Sequence, residues 1–307
     1  MNKIQRVLIV GGTHGNELTG VYLVQRFEQQ PHLVQRPSFD TRTLLSNQAA
    51  IAAGVRYVDQ DMNRCCDRQS LATPTPAAYE VARAQEISRH FGTTGSTPAD
   101  VILDLHSTTA NMGLTLILDD HHPFKLQLAA ALSAQQPALR VYSSANSGRQ
   151  QDALRSLGRF GFCLEVGPVA QGVLEADLFH RTEALVLQTL DYLDRLNQDT
   201  PTTAPHPLTL YQYLGTVPYP KDSKGRLQAM IHPQLQGQDY QPLHPGDPMF
   251  LSLTGETIAY AGEDPVFPVF INEAAYYEKD IAMVLTRPQQ IEVETWVEPE
   301  SEARTCR

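Results

Sequence analysis

The sequence predicts an α/β protein followed by a smaller, mostly β second domain. Through the first two thirds, short apolar runs alternate with helix-spaced apolar residues, which is the pattern of a layered α/β fold. The chain opens on one such run, Val7-Leu8-Ile9-Val10, too short for anything but a buried strand. After a Pro- and Thr-rich stretch at 199–207 the texture changes to β-branched runs cut by Pro, Gly and Asp.

The elements follow in order. After the strand at 7–10, Leu18, Val21, Tyr22, Val24 and Phe27 recur at helical intervals, so 17–29 reads as a helix packed on the sheet. Another helix covers 77–91 and is stopped by Gly92. Strands are predicted at 101–105 and 114–118, a helix at 123–134, a further buried strand at 160–166, and a long amphipathic helix at 176–196. The linker sets a boundary near 205, dividing the chain into 1–205 and 206–307. Beyond it, 208–217, 227–231, 249–253, 257–261, 266–271, 281–286 and 291–297 read as strands.

Composition excludes several classes. The 307 residues carry 24 Lys plus Arg against 34 Asp plus Glu, a net charge of −10, which disfavours nucleic acid and a membrane surface alike. No apolar run approaches the roughly 18 residues that span a bilayer, and 7–10 is too short for a secretory core, so a cytoplasmic protein is expected. Cys65, Cys66, Cys163 and Cys306 lack the paired spacing of a zinc ribbon, and reduced thiols are the default. An anionic substrate would meet an opposing overall field, so a local cluster of arginines would have to reverse it inside the site.

Chemistry concentrates at strand ends. Gly11-Gly12-Thr13-His14-Gly15-Asn16-Glu17 lies between a strand and a helix, and His14 and Glu17, three residues apart, can converge on one ion. A phosphate-cradling loop is the alternative, but neither the dinucleotide fingerprint nor the P-loop spacing is present. His106, just past the strand at 101–105, would complete a two-histidine, one-glutamate set of the hydrolytic zinc type, although a lone strand-end histidine is commonly structural. Asp104 is a candidate carboxylate partner behind it or a simple turn former. Glu165 sits inside an apolar strand, where a buried carboxylate implies a salt bridge or work as a general base. Arg56, Asn63, Arg64 and Arg155 are either solvated surface groups or, beside a metal, carboxylate clamps and an oxyanion partner.

Taken together, His14, Glu17, Asn63-Arg64, His106 and Glu165 resemble the zinc carboxypeptidase superfamily. More closely, the segments 11–20, 104–106, 165–168, 244–250 and 272–279 resemble the aspartoacylase branch of the aspartoacylase/succinylglutamate desuccinylase family across nearly the whole chain. The resemblance implies a carboxypeptidase-like mixed sheet with helices on both faces, and a C-terminal β domain narrowing the active-site entrance. It implies one Zn²⁺ per subunit held by His14, Glu17 and His106, with Glu165 activating water and Arg56 steadying the oxyanion. Asn63 and Arg64 would hold the substrate's α-carboxylate and Arg155 its β-carboxylate, while Tyr276 would complete the pocket from the second domain.

The implied reaction is deacetylation of a small anionic acylamino acid, N-acetyl-L-aspartate, by a homodimer or higher homo-oligomer. A sister branch acts on N-acyl aromatic amino acids and mercapturates. Arg155 argues against that branch, because an aromatic ring would leave its charge unpaired. Gln151 and Thr216 stand where the animal enzyme carries a tyrosine and a lysine. A peptidase fits poorly with an entrance narrowed by a second domain, and a catalytically silent metal- or small-molecule-binding module is the reading from another class.

Overall fold

The computed structural model describes residues 3–148, 152–198 and 207–294. In chain order the elements are β1 (Arg6–Gly11), α1 (Leu18–Gln29), β2 (Asp40–Leu45), α2 (Gln48–Ala53), α3 (Arg68–Ala72), α4 (Tyr79–Phe91), β3 (Val101–Ser107), β4 (Gly113–Leu118), α5 (Pro123–Gln135), β5 (Leu139–Ser143), β6 (Phe160–Gly167) and α6 (Ala176–Asn197). There follow β7 (Leu208–Pro218), β8 (Ala229–Ile231), β9 (Pro248–Ser252), β10 (Thr257–Ala259), β11 (Phe267–Val269) and β12 (Ile281–Ile291).

Nine strands form one mixed sheet in the order β11-β12-β7-β5-β4-β6-β3-β1-β2. β2, β1, β3 and β6 run parallel, β4 is antiparallel to β6, and β12 is antiparallel to β7. Strand alternation divides the core between two faces. Val7, Ile9, Leu103, Phe162 and Leu164 pack with Val24 and Phe27 of α1, Leu128 and Leu132 of α5, and Leu185 and Leu190 of α6. Leu8, Val10 and Ile102 point the other way, to Met62 and to Val81, Ala84 and Ile87 of α4. Helices therefore cover both faces of a mixed sheet.

Four elements escape the sequence reading. β2 is an edge strand, Asp-Thr-Arg-Thr-Leu-Leu, half-exposed and without a buried apolar alternation, and β5 is a five-residue strand. α2 and α3 have six and five residues, too short to show a helical period. The first helix begins at Leu18, with Glu17 standing as its N-cap residue and making no side-chain cap. Of the strand expected at 291–297 only Ile291 is strand, as the last residue of β12, which runs through Pro288 opposite Tyr211, and 292–294 are irregular; 295–297 lie outside the described residues, as do the linker at 199–206, Gln151 and Cys306.

The C-terminal stretch is less separate than its composition implies. β7 pairs in parallel with β5, Val141 opposite Leu210, so β7, β12 and β11 extend the sheet of the first two thirds. β8, β9 and β10 form their own three-stranded sheet around Ile231, Met249 and Phe250. Cys65, Cys66 and Cys163 are buried and free. Among the described residues no helix is long and apolar enough to cross a membrane.

Candidate active site

Backbone geometry at the end of β1 presents His14. Gly12 adopts φ +70°, a conformation that favours glycine, and a Cβ on Gly11 would lie 2.2 Å from the Gly20 carbonyl oxygen of α1. The tight turn and the close helix together leave His14 and Glu17 buried beside His106 at the end of β3.

These three side chains converge. Glu17 Oε1 is 2.7 Å from His14 Nδ1, Glu17 Oε2 is 2.9 Å from His106 Nδ1, and the two Nδ1 atoms are 3.1 Å apart. Potential ligand atoms of the three residues all lie within 4.8 Å of one another. Each ring turns its other nitrogen to an acid: His14 Nε2 is 3.0 Å from Asp61 Oδ1, and His106 Nε2 is 2.9 Å from Asp104 Oδ2. Asp104 is fixed in turn by Thr13 Oγ1, which donates to its Oδ1 at 2.7 Å. Carboxylate–imidazole pairs of this kind set the ring orientation of metal-binding histidines.

Charges crowd the cluster. Burial opposes the Glu17 charge, yet the His14 and His106 rings hold its carboxyl well below the usual carboxylate range. Asp61 is likewise buried and held far down by His14, Arg56 and Lys279, and Asp104 is held down by His106 and Thr13. Burial works against a charged His106, but Asp104 and Glu17 beside it keep its pKa well above the ordinary value. Three carboxylates thus bear on the two imidazoles, and the two-histidine, one-glutamate donor set where the ligand atoms meet is that of zinc.

Glu165 stands across from this point. β3 and β6 pair in parallel with His106 opposite Glu165, so both side chains rise from the same face of the sheet. Burial pushes the Glu165 carboxyl up to about 8, with the Glu17 and Glu273 charges adding to it against His106 and Arg56. Glu165 makes no ion pair among the described residues, which leaves the salt-bridge alternative without a partner.

The nine residues expected to hold the metal, catalyse or bind substrate line one cavity of about 310 Å³, and Asp104 stands behind it. Arg56 Nη1 is 2.8 Å from Glu17 Oε1, and its buried Nε has no hydrogen-bond partner. Asn63 accepts from the Leu154 amide at 3.0 Å and sets its own amide nitrogen 3.3 Å from His106 Nε2. Arg64 Nε is 3.7 Å from Asp152. Tyr276 lies in a short 3-10 segment (Ala274–Lys279) against Phe270, ring centroids 5.3 Å apart. Thr216, on β7, lines the same cavity.

Arg155 carries a correction. Its guanidinium is buried and forked onto Asp119, with Nε and Nη2 at 2.6 and 2.7 Å from the two carboxylate oxygens. An aromatic substrate side chain would not strand that charge, because Asp119 already answers it. Arg155 alone therefore does not select an acidic side chain, as the sequence reading held.

Sequence reasoning missed Asp61, Asp119, Glu273 and Lys279. Lys279 lines the cavity and reaches Asp61 Oδ2 at 3.1 Å, joining the segment that carries Tyr276 to the partner of His14. Glu273 accepts from the Thr109 amide at 2.7 Å and from the Thr108 hydroxyl, tying the same segment to the loop after His106. Asp61 precedes the Asn63-Arg64 pair by two residues and could have been flagged by that proximity. Glu273 and Lys279 flank Tyr276 in the segment 272–279 and could have been flagged in the same way, whereas Asp119 is joined to the site by long-range packing with no local signature. Arg56, Arg64, Arg155 and Lys279 all line the cavity, each beside an acid: Glu17, Asp152, Asp119 and Asp61 in turn.

Comparison with known proteins identifies the family. Residues 3–193 match the Succinylglutamate desuccinylase/Aspartoacylase catalytic domain, and residues 206–288 match the AstE/AspA barrel-sandwich hybrid domain. A probable aspartoacylase from Trichodesmium erythraeum is 50% identical, covering 95% of this chain and 100% of that protein. The mouse N-acyl-aromatic-L-amino acid amidohydrolase (carboxylate-forming) is 44% identical, covering 94% of this chain and 92% of that protein. The crystal structure of murine aminoacylase 3 superposes with a TM-score of 0.91 at 41% identity, covering 97% of this chain and 100% of that one. The chain therefore belongs to the succinylglutamate desuccinylase/aspartoacylase family of hydrolases.

Proposed function

We propose that this protein is a zinc-dependent amidohydrolase that converts N-acetyl-L-aspartate to acetate and L-aspartate. The observation that carries the reading is the meeting of His14, Glu17 and His106 ligand atoms within 4.8 Å, with Glu165 opposite His106 on the neighbouring strand. When bound there, a zinc ion supplies Lewis acidity toward the acyl carbonyl and lowers the pKa of water toward about 7.

The remaining steps fall to the chain's own residues. Glu165 takes the proton of the attacking water and passes it to the departing amine, a task suited to a carboxyl whose proton affinity burial has raised. Arg56, with Nε unpartnered at the cavity wall, donates to the oxygen that gains charge as the carbonyl becomes tetrahedral. Asn63 and Arg64 orient the α-carboxylate, Arg155 meets the β-carboxylate, and Tyr276 closes the pocket. Walls from 213–216 and 270–284, on the C-terminal side of the linker, limit the cavity to small acylamino acids and not polypeptides. By likeness alone, we also propose a cytoplasmic homodimer or higher assembly, which light scattering on purified protein checks for oligomeric state.

One observation favours a second reading, deacylation of N-acyl aromatic amino acids. Asp119 neutralises Arg155, and Tyr142, Tyr213 and Phe270 give the same cavity an aromatic wall. A panel of N-acetyl-aspartate, N-acetyl-glutamate, N-acetyl-phenylalanine and an S-substituted N-acetylcysteine separates the two. N-acetyl-aspartate is expected to give the highest kcat/KM, and a chelator is expected to abolish turnover. Preference for phenylalanine would select the second reading. A metal-free protein inert to all four would leave a binding module.

A further inference from the structure

The side-chain end of the cavity is built around a buried charge that already has a partner. Arg155 lies in a short 3-10 turn (Leu154–Leu157) leading into β6, and its side chain is 7% exposed. A guanidinium that deep needs a counter-charge before any substrate arrives. Asp119, the first residue after β4, supplies it through both oxygens, and Ser144, the first residue after β5, donates from Oγ to Asp119 Oδ1 at 3.0 Å. β4 and β5 end together, Leu118 opposite Ser143, so a single register sets Asp119 beside Ser144. Arg155 and Ser144 line the cavity, while Asp119 is not among its lining residues and stands behind the guanidinium.

We propose that Asp119 is the positioning residue of the side-chain subsite, fixing Arg155 so that a substrate's side-chain carboxylate meets a guanidinium already in place. The proposal rests on the role given to Arg155 above. A two-point fork sets the plane of a guanidinium as well as its position, which a single contact does not. Free Arg carries several rotatable bonds, and ordering it at the moment of binding would subtract from affinity. Asp119 removes that loss, and does so only for substrates whose side chain reaches Arg155.

The test is the ratio of kcat/KM for N-acetyl-aspartate to that for N-acetyl-methionine, measured within each variant so that general damage cancels. Asp119→Asn is expected to lower this ratio at least 10-fold, chiefly through KM for N-acetyl-aspartate, and Asp119→Glu to restore most of it. Ser144→Ala, a milder change on the same carboxylate, is expected to lower it about threefold and stands in if Asp119→Asn does not fold. A ratio that is unchanged in both variants, or that rises because an unpaired Arg155 attracts anions more strongly, overturns the proposal. Wild-type protein that hydrolyses neither substrate would instead overturn the functional reading beneath it.

Discussion

His106 and Glu165 are cross-strand partners on the parallel pair β3–β6, directly opposite one another. A candidate metal ligand and the candidate base are thus held by the sheet's own hydrogen-bond register, the most rigid framework the fold provides. Slipping either strand by one residue would send one of the two side chains to the opposite face, where α1, α5 and α6 pack.

Glu165→Gln keeps the shape of the side chain and removes its proton transfer. Turnover should fall on the order of 10²- to 10⁴-fold while zinc content is retained. Steady-state kinetics paired with metal analysis checks this; normal turnover would remove Glu165 from the mechanism.

Arg56→Ala should lower kcat by roughly 10²- to 10³-fold, the usual loss for one oxyanion donor, with zinc still bound. Arg56 also touches Glu17, so the metal measurement is needed to separate loss of the donor from loss of the ion.

Asp61 and Asp104 contact the two imidazoles from behind. Replacing either by Ala should weaken zinc binding by about 10- to 100-fold, read by competition with a chromogenic chelator. Asp61→Ala should show an added loss, because it also frees Lys279 from its ion pair.

Burial opposes the Asp119 charge, but Arg155 and the hydrogen bonds from Arg155 and Ser144 bring its carboxyl from 3.8 down to about 2. A carboxyl lowered on folding stabilises the protein above its unfolded value, and that contribution fades as pH falls from about 4 toward 2. At pH 7, Asp119→Asn should therefore cost about 2 kcal/mol in chemical denaturation. The gap to wild type should narrow at the acid end of the series.

The sequence showed the site more fully than the topology. His14, Glu17, His106 and Glu165 follow or occupy strands with plain apolar runs, so spacing offers each as a strand-end candidate, and the family resemblance implies that they share one site. β2 and β5 were invisible because an edge strand with polar alternation and a five-residue strand carry little periodic signal. The texture change after the linker marked a new segment, but nothing local says that β7 pairs with β5 and not with its own neighbours. Asp119 was hidden for a related reason: 36 residues separate it from Arg155, and only the packing of β4 against β6 brings them together.

The central claim is one ion shared by His14, Glu17 and His106, and anomalous diffraction at the zinc absorption edge tests it most directly. The account predicts a single strong peak per subunit, about 2.0–2.2 Å from His14 Nδ1, His106 Nδ1 and a Glu17 oxygen, facing Glu165. Absence of that peak from zinc-loaded crystals, or a peak elsewhere in the molecule, would contradict it.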